Sequence, residues 1–523
     1  MDAETIHNRR WMILLVLCLS LVMVIVGNTT LNVALPTLSD KLGASSSQLQ
    51  WMVDSYALVF AGLLLTAGAL GDRFGRKGAL MVGLVIFGVG SFAAGLGDSA
   101  GDIIAMRALM GVGAALVMPA TLSILTNVFP PNERGKAIGA WAGVAAAGAA
   151  FGPIISGWLL GRFWWGSVFF VNMPVVLTAL IAGAILVPTS RDPRQPKLDL
   201  VGALLSIVAL TALLYGIIEA PHHGWLSPET IAFFTGAAFF GAAFAWWELR
   251  HPEPMLDLRY FKIGSFGGGS LAITLVFFAL FGLFFLITQY LQLVLGYSPF
   301  EAGVRLLPMA LTIMVTAPTS AHLAERFGAR NVVTAGLATV GVGLFLVSQF
   351  DAHTGYLQLI LSLMLIAVGM GLTSAPSTGS IMASLPLGKA GVGSAVNDTT
   401  RELGGALGIA VLGSIVASHY QTSLAPTLEP IPTLGKSLAF SGLGGALRLA
   451  RDTADPAAAQ AIATGAKDAF VDAMSQATTI GMVVVFIAAA GVYRLLPNRL
   501  DVPAAHLAHA DHQPEPVVAA EPA

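Results

Sequence analysis

Five charged residues stand inside long apolar runs: Asp54, Arg107, Asp398, Arg401 and Glu402. A charge at mid-bilayer costs at least about 2.5–3.5 kcal/mol on insertion scales, so each should face a partner or a water-filled cavity. Asp398 and Glu402 are four residues apart and share a helix face, and Arg401 reaches both. Burial and a neighbouring arginine pull a carboxylate's protonation in opposite directions. That balance suits a group that gains and loses a proton, with Asp398 ahead of Glu402. The same trio also reads as a self-neutralised cluster that only holds its span. Asp54 and Arg107 lie at similar depth in their spans, so Asp54 is the acid available to Arg107; the alternative is that both snorkel to the headgroups.

These residues need membrane helices to position them. The 523 residues are 55% hydrophobic and 11% charged, with a mean hydropathy of +0.77. A soluble domain carries about 25% charged residues, so a soluble class is excluded. A crossing needs about 20 apolar residues. Fourteen runs qualify, near 11–35, 50–70, 79–97, 102–126, 136–160, 166–187, 199–219, 229–249, 267–291, 303–323, 331–350, 356–376, 392–418 and 474–496. The first is too long for a signal-peptide core and has no clear cleavage site after it, with Pro36 just beyond its end. Cys18 is the only cysteine, which excludes an intrachain disulfide and disfavours a thiolate metal cluster.

Lysine and arginine set the orientation. With the N-terminus in the cytosol, 18 of the 27 Lys and Arg residues fall on the cytosolic side, and the short outside loops hold only Lys41 and Arg162. Both termini are therefore expected in the cytosol. Between spans 2 and 3 lies a charged turn, Gly71-Asp72-Arg73-Phe74-Gly75-Arg76-Lys77. It returns between spans 10 and 11 as Ala324-Glu325-Arg326-Phe327-Gly328-Ala329-Arg330. Aligning the two leaves spans 7 and 8 as an insert, a pattern of six, two and six, and transporters are commonly built from related halves. The expected all-α domains are a six-helix bundle over 1–190, a linker with two inserted helices over 191–262, and a second bundle over 263–499. The second bundle includes a long outside loop at 419–472, whose segments 443–451 and 457–474 read as short amphipathic helices. Residues 500–523 read as a disordered tail. Its His506, His509 and His512 offer no fixed metal geometry.

The charged turn resembles the cytosolic signature of the major facilitator superfamily. Span 5 carries Gly139, Gly148 and then Gly152-Pro153-Ile154-Ile155-Ser156-Gly157, similar to the antiporter signature of drug exporters, with Ser156 where glycine is usual. Thr29-Thr30-Leu31-Asn32-Val33-Ala34-Leu35-Pro36 is similar to the span-1 signature of fourteen-span drug:proton antiporters. Arg107-Ala108-Leu109-Met110-Gly111 and the stretch from Ala395 to Gly404 are family-like as well. The resemblance runs from about Trp11 to Leu500. It implies two six-helix bundles rocking about a midplane cavity, energy from a proton gradient with no cofactor or metal, and a bacterial inner-membrane location. It also implies a small lipophilic substrate, with cations favoured, lipid as surroundings, no nucleic-acid partner and a monomer. The usual span-1 aspartate is Gly27 here, so its proton role does not carry over.

The remaining candidates each have a plainer reading. Arg73, Arg76 and Lys77 signal topology, which leaves Asp72 unexplained and open to a gating-latch role beside Gly71 and Gly75. Gly148, Gly152, Pro153 and Gly157 serve either ordinary packing or a close, moving helix contact that seals against proton leak, as the resemblance implies. Asn28, Thr29, Thr30 and Asn32 suit a wet cavity wall better than lipid. Phe277, Phe281 and Phe284 share a face with Gln289 beyond them, and read as lipid-facing aromatics or as a cavity wall for flat cations. No GxxxxGK[ST] phosphate loop exists, so nothing supports an ATP-driven pump. An exporter of a lipid or metabolite and an importer of the same fold stay open. An intramembrane enzyme is disfavoured, because the ten histidines lie outside or at the ends of spans.

Overall fold

A computed structural model describes residues 3–190, 199–252, 254–385, 390–428 and 433–498. The helices are α1 (Ala3–Leu42), α2 (Ser46–Phe74), α3 (Arg76–Leu96), α4 (Ala100–Val128), α5 (Pro131–Arg162), α6 (Ser167–Phe170), α7 (Asn172–Leu186), α8 (Leu200–His223) and α9 (Pro228–Arg250). After a short 3-10 turn come α10 (Gly264–Gln289), α11 (Pro299–Phe327), α12 (Ala329–Val347), α13 (Tyr356–Ala383), α14 (Ala390–Leu424), α15 (Thr433–Phe440), α16 (Leu443–Asp452) and α17 (Pro456–Leu495). Among the described residues thirteen helices are long and apolar enough to cross a membrane. The remaining expected crossing, α5, is 32 residues long and packs along α1 and α11.

The internal repeat extends well past the charged turn. Helices α2 and α11 are both 29 residues long. Each starts at a serine capping box, Ser45 with Gln48 and Ser298 with Glu301, which satisfies backbone donors at the helix start. Each ends at a glycine with positive φ, Gly75 at 123° and Gly328 at 86°, a region that costs other residues strain. Those glycines donate their N–H to the carbonyls of Gly71 and Ala324, both at 2.9 Å.

Packing repeats in the same way. Helix α1 lies against α4, α5 and α7, and α10 lies against α13, α14 and α17. The pairs α2–α4, α3–α4 and α3–α7 recur as α11–α13, α12–α13 and α12–α17. The two six-helix bundles meet along α2–α14 and α5–α11. Helices α8 and α9 pair with each other, and α8 covers α2 and α14, with Trp51 Nε1 donating to Glu219 Oε1 at 3.2 Å. Apolar side chains such as Val85, Val89, Leu177, Ile181 and Ile185 stay exposed, as a lipid-facing surface requires.

Three boundaries differ from the sequence reading. Helix α1 runs through Pro36 to Leu42, because packing against neighbours tolerates one missing hydrogen bond. Helix α14 extends to Leu424, and α17 begins at Pro456 rather than near 474. The expected loop at 419–472 thus shrinks to 425–455, and the alanine-rich 457–474 segment is the first half of a crossing helix. Of the two expected amphipathic segments, 443–451 forms a separate short helix, α16, which rests on α1, α15 and α17, with Arg451 paired to Asp40. The tail histidines lie outside the described residues.

Candidate functional site

Arg107 is the largest fully buried side chain, and its fork fixes three helices at once. Nε donates to the Met52 carbonyl at 3.0 Å, Nη1 to the Gly27 carbonyl at 3.1 Å and Nη2 to Asn28 Oδ1 at 3.1 Å. The guanidinium lies 4.2 Å from the centre of the Tyr56 ring. Gly27, where an acid is usual, supplies a backbone carbonyl instead. Arg107 therefore keeps its charge satisfied by dipoles and a π face.

Asp54 does not pair with Arg107. At 100° per residue, Met52, Ser55 and Tyr56 face α4, while Gln50, Asp54, Ala57 and Leu58 point the opposite way, toward α14. Contacts follow that division: Ser55 Oγ donates to the Ile104 carbonyl at 3.1 Å, and Ala57 and Leu58 pack with Ala406 and Ala410. Asp54 is fully buried, and neither carboxylate oxygen has a hydrogen-bond partner. Equal depth in the sequence concealed opposite sides of one helix.

Across the seam, α14 presents the charged trio of Asp398, Arg401 and Glu402. Arg401 lies 3.7 Å from Asp398 and 4.7 Å from the centre of the Phe277 ring. Asp398 also accepts from Asn397 at 3.5 Å. Glu402 is different. Its Oε2 is buried with no hydrogen-bond partner, and it lies within electrostatic reach of Arg401 and Asp398 on its own helix and of Tyr56 and Arg107 in the other bundle. The structure thus brings Arg107, Asn28, Glu402, Asp398 and Arg401 into one central region, and leaves Asp54 at the α2–α14 seam.

The glycines of α5 lie on two seams. A Cβ on Gly152 would strike Thr29 of α1, whose hydroxyl donates to its own helix at Ile25 O, 3.1 Å. A Cβ on Gly157 would lie 2.5 Å from Pro299 O, and one on Gly303 of α11 would lie 2.5 Å from Pro153 O. A Cβ on Gly148 would come no nearer than 3.4 Å to Ile25 and 3.7 Å to Val26, ordinary contacts, so that position has room. Ser156 explains its departure from glycine by donating to the Thr30 carbonyl at 2.7 Å. Thr29 and Thr30 therefore serve the α1–α5 contact rather than an open wall, and Asn32 donates weakly to Asn28 O at 3.4 Å.

Of the aromatic face, Phe277 is buried, Phe281 packs on Gly405 of α14, edge-on to Phe277, and Phe284 is half-buried. Phe277 faces the bundle interior rather than lipid, because α10 packs against α13, α14 and α17. Gln289 is buried far along α10 and donates to Phe285 O at 3.0 Å. Beyond it the helix widens into a π turn, Tyr290–Val294, and Gln292 donates across the bundles to Val33 O at 2.9 Å.

In the charged turn, the bases fasten α3 to the end of α7. Lys77 Nζ donates to Ala184 O at 2.7 Å and the Arg76 N–H to Ser190 O at 2.9 Å, while Arg73 stacks on Phe74. The echo does likewise: Arg330 Nε donates to Leu496 O at 2.7 Å at the end of α17. The side chain of Asp72 lies outside the described residues.

Sequence reasoning missed Tyr56, Gln50 and Gly303. The repeat held a signal for the last two, since the displacement from Gly71 to Ala324 also carries Gln50 to Gly303. Gln50 meets Gly413 and Ser414 of α14, as Gly303 meets Pro153 of α5. Among the described residues no cluster of three His, Cys, Asp or Glu groups could hold a metal ion.

The family model described as Major Facilitator Superfamily matches residues 17–409. The chain is 36% identical to the multidrug efflux pump LfrA of Mycolicibacterium smegmatis, over 93% of this chain and 96% of that one. It is 36% identical to the methyl viologen resistance protein SmvA of Salmonella typhimurium, over 93% and 98%. The tetracenomycin C resistance and export protein of Streptomyces glaucescens matches at 36% over 80% and 78%. Among solved structures, a bacterial homolog of the human lysosomal transporter Spinster, inward-facing and occupied, aligns with a TM-score of 0.64 at 17% identity over 93% and 97%. The inward-open xylose transporter XylE of E. coli aligns with a TM-score of 0.58 at 14% identity over 96% and 99%.

Proposed function

The chain belongs to the major facilitator superfamily, and we propose that it exports lipophilic cations across the bacterial cytoplasmic membrane in exchange for protons. The observation that carries this reading is Glu402, a half-buried carboxylate whose buried Oε2 has no hydrogen-bond partner, within electrostatic reach of Arg401 on its own helix and of Arg107 across the junction of the two bundles. Such a group can hold a proton or a substrate cation, but not both. That exclusion is what exchange requires. Relatives named for multidrug efflux, methyl viologen resistance and export of tetracenomycin C support the substrate class. Geometry favours Glu402 ahead of Asp398, the reverse of the order taken from spacing, because Asp398 already has Arg401 and Asn397.

The bundles close on each other away from the basic end, through residues 50–58 with 406–414 and residues 153–157 with 299–303. At the basic end, Arg10–Glu133, Lys77–Ala184 and Arg330–Leu496 each join groups within one bundle. We take this as the inward-facing form, with both termini cytosolic and bundles at 1–190 and 263–499 around a linker at 191–262. Loading from the cytosol displaces the proton from Glu402. Rocking then breaks the outer seams, and a proton from outside releases the cation. Gly152, Pro153 and Gly157 with Gly303 form the moving seam, and Gly71, Asp72, Gly75 and the turn bases hold the cytosolic hinge. The protein acts as a monomer in this scheme, with the proton gradient as energy source and no cofactor. With Gly27 replacing the usual acid, one proton exchanges for one monovalent cation. Asp54 is the reserve proton carrier.

Everted membrane vesicles test the reading. Respiring vesicles that contain the protein should accumulate a fluorescent lipophilic cation and lose it on adding a protonophore. Accumulation that ignores the protonophore rejects proton coupling.

A further inference from the structure

The inserted helices carry a carboxyl pair that the proposed exchange scheme leaves out, Asp199 and Glu248. Asp199 caps the start of α8: its Oδ1 accepts the Gly202 N–H at 2.8 Å and the Trp247 Nε1–H at 2.9 Å, and Oδ2 shares that indole at 3.1 Å. Glu248, in the last turn of α9, is 1% exposed. Its Oε2 accepts the Leu256 N–H at 2.9 Å, and its buried Oε1 has no hydrogen-bond partner. The two carboxyls converge over Gly202, where a Cβ would strike Glu248 Oε1 and lie 2.6 Å from Asp199 Oδ2.

No cation balances them among the described residues. Arg259 turns to Asp257 at 3.9 Å and to Leu249 O at 3.0 Å. Arg250 lies over the Trp246 ring at 4.6 Å. His251 stacks on Trp247 at 5.2 Å, its buried Nδ1 without a partner. Asp257 adds negative charge nearby, and Tyr260 and Lys262 follow on the same segment. From α2 the contact with this segment is uncharged, Thr66 to Met255 at 3.3 Å.

Two adjoining buried carboxylates cannot both stay ionised. Helix polarity decides which one is neutral. Asp199 stands at a helix N-terminus, which favours negative charge, and Glu248 at a C-terminus, which opposes it. The donor count agrees, since Asp199 accepts from two groups and Glu248 from one. We propose that Asp199 and Glu248 hold one proton between them, a proton-binding site outside the transport path that fastens α8, α9 and the segment entering α10. The Glu248 Oε1–H donates to Asp199 Oδ2, which satisfies the orphaned atom. Loss of the proton sets two negative charges side by side. The folded state binds the extra proton, so the site's contribution to stability falls as pH rises.

Infrared difference spectroscopy of the full-length protein in lipid bilayers tests this. Wild type should show a protonated-carboxyl band that vanishes on alkalinisation. Glu248→Gln keeps a donor to Asp199 and should lose that band, whereas Glu402→Gln should keep it, which separates this site from the transport carboxyls. The alkaline fall in melting temperature should flatten in Glu248→Gln. Asp199→Asn removes the neighbouring charge and should move loss of the band to lower pH. A band unchanged in Glu248→Gln, or a midpoint unchanged in Asp199→Asn, overturns the proposal.

Discussion

Gly303→Ala should push the transporter out of the form described. The added Cβ would sit 2.5 Å from Pro153 O, 2.9 Å from Pro153 C and 3.2 Å from Ile154 Cα. All three are backbone atoms, so no side chain can swing aside. An ordinary contact begins near 3.4 Å, so α5 and α11 must part by about 0.9 Å. Overpacking of this kind costs about 1–3 kcal/mol. If the seam opens in the other half of the cycle, that cost falls on this form alone. The equilibrium then shifts by about 5- to 150-fold toward the outward-facing form. Spin labels at Gly161 and His353, in a Cys18→Ser background, would report the separation at the outer end. The distance distribution should move to longer values in Gly303→Ala. Gly148→Ala, whose Cβ makes only ordinary contacts with Ile25 at 3.4 Å and Val26 at 3.7 Å, should leave it unchanged. A folded Gly303→Ala protein with the wild-type distribution would refute the claim that this seam opens during transport.

Other substitutions test the remaining contacts. Arg107→Lys keeps the charge but reaches one acceptor where three are met, losing two charge-assisted bonds of about 1.5–3 kcal/mol each. Efflux in cells should fall at least about tenfold at matched expression, and unchanged efflux would reduce Arg107 to a packing residue. Ser156→Ala removes the 2.7 Å bond to Thr30 O and should lower stability by about 0.5–1.5 kcal/mol in a thermal-shift assay, with transport retained. Asp72→Asn should nearly abolish transport while insertion stays normal; wild-type efflux from it would leave the charged turn as topology signal and helix fastening only.

The crossings and the halves were legible because both rest on local pattern. Apolar runs mark spans, and the repeated turn shows itself in charges and in glycines that must take positive φ at 75 and 328. Asp54 and Arg107 were misjudged because depth is readable from sequence, whereas the rotation of α2 is set by what packs on each side. The ring of Phe277 was open to a lipid-facing reading because an apolar helix looks alike whether it is central or peripheral. The start of α17 was missed because its alanine-rich outer half is too polar to mark a crossing by itself. Asp199 and Glu248 left no trace, since nothing in the unrepeated insert aligns them. Ser156 was visible only as a departure, and its bond to α1 needed coordinates.

The central claim is tested most directly in proteoliposomes with the voltage clamped to zero and a pH gradient imposed. One proton exchanged for one monovalent cation should give about tenfold accumulation of the cation per pH unit, since each unit is worth about 1.36 kcal/mol. Glu402→Gln should exchange labelled for unlabelled cation across equal pH yet accumulate none against the gradient. Accumulation by Glu402→Gln equal to wild type, or strong accumulation driven by voltage at equal pH, would contradict a single carrier at Glu402. The second outcome would move the search to Asp54.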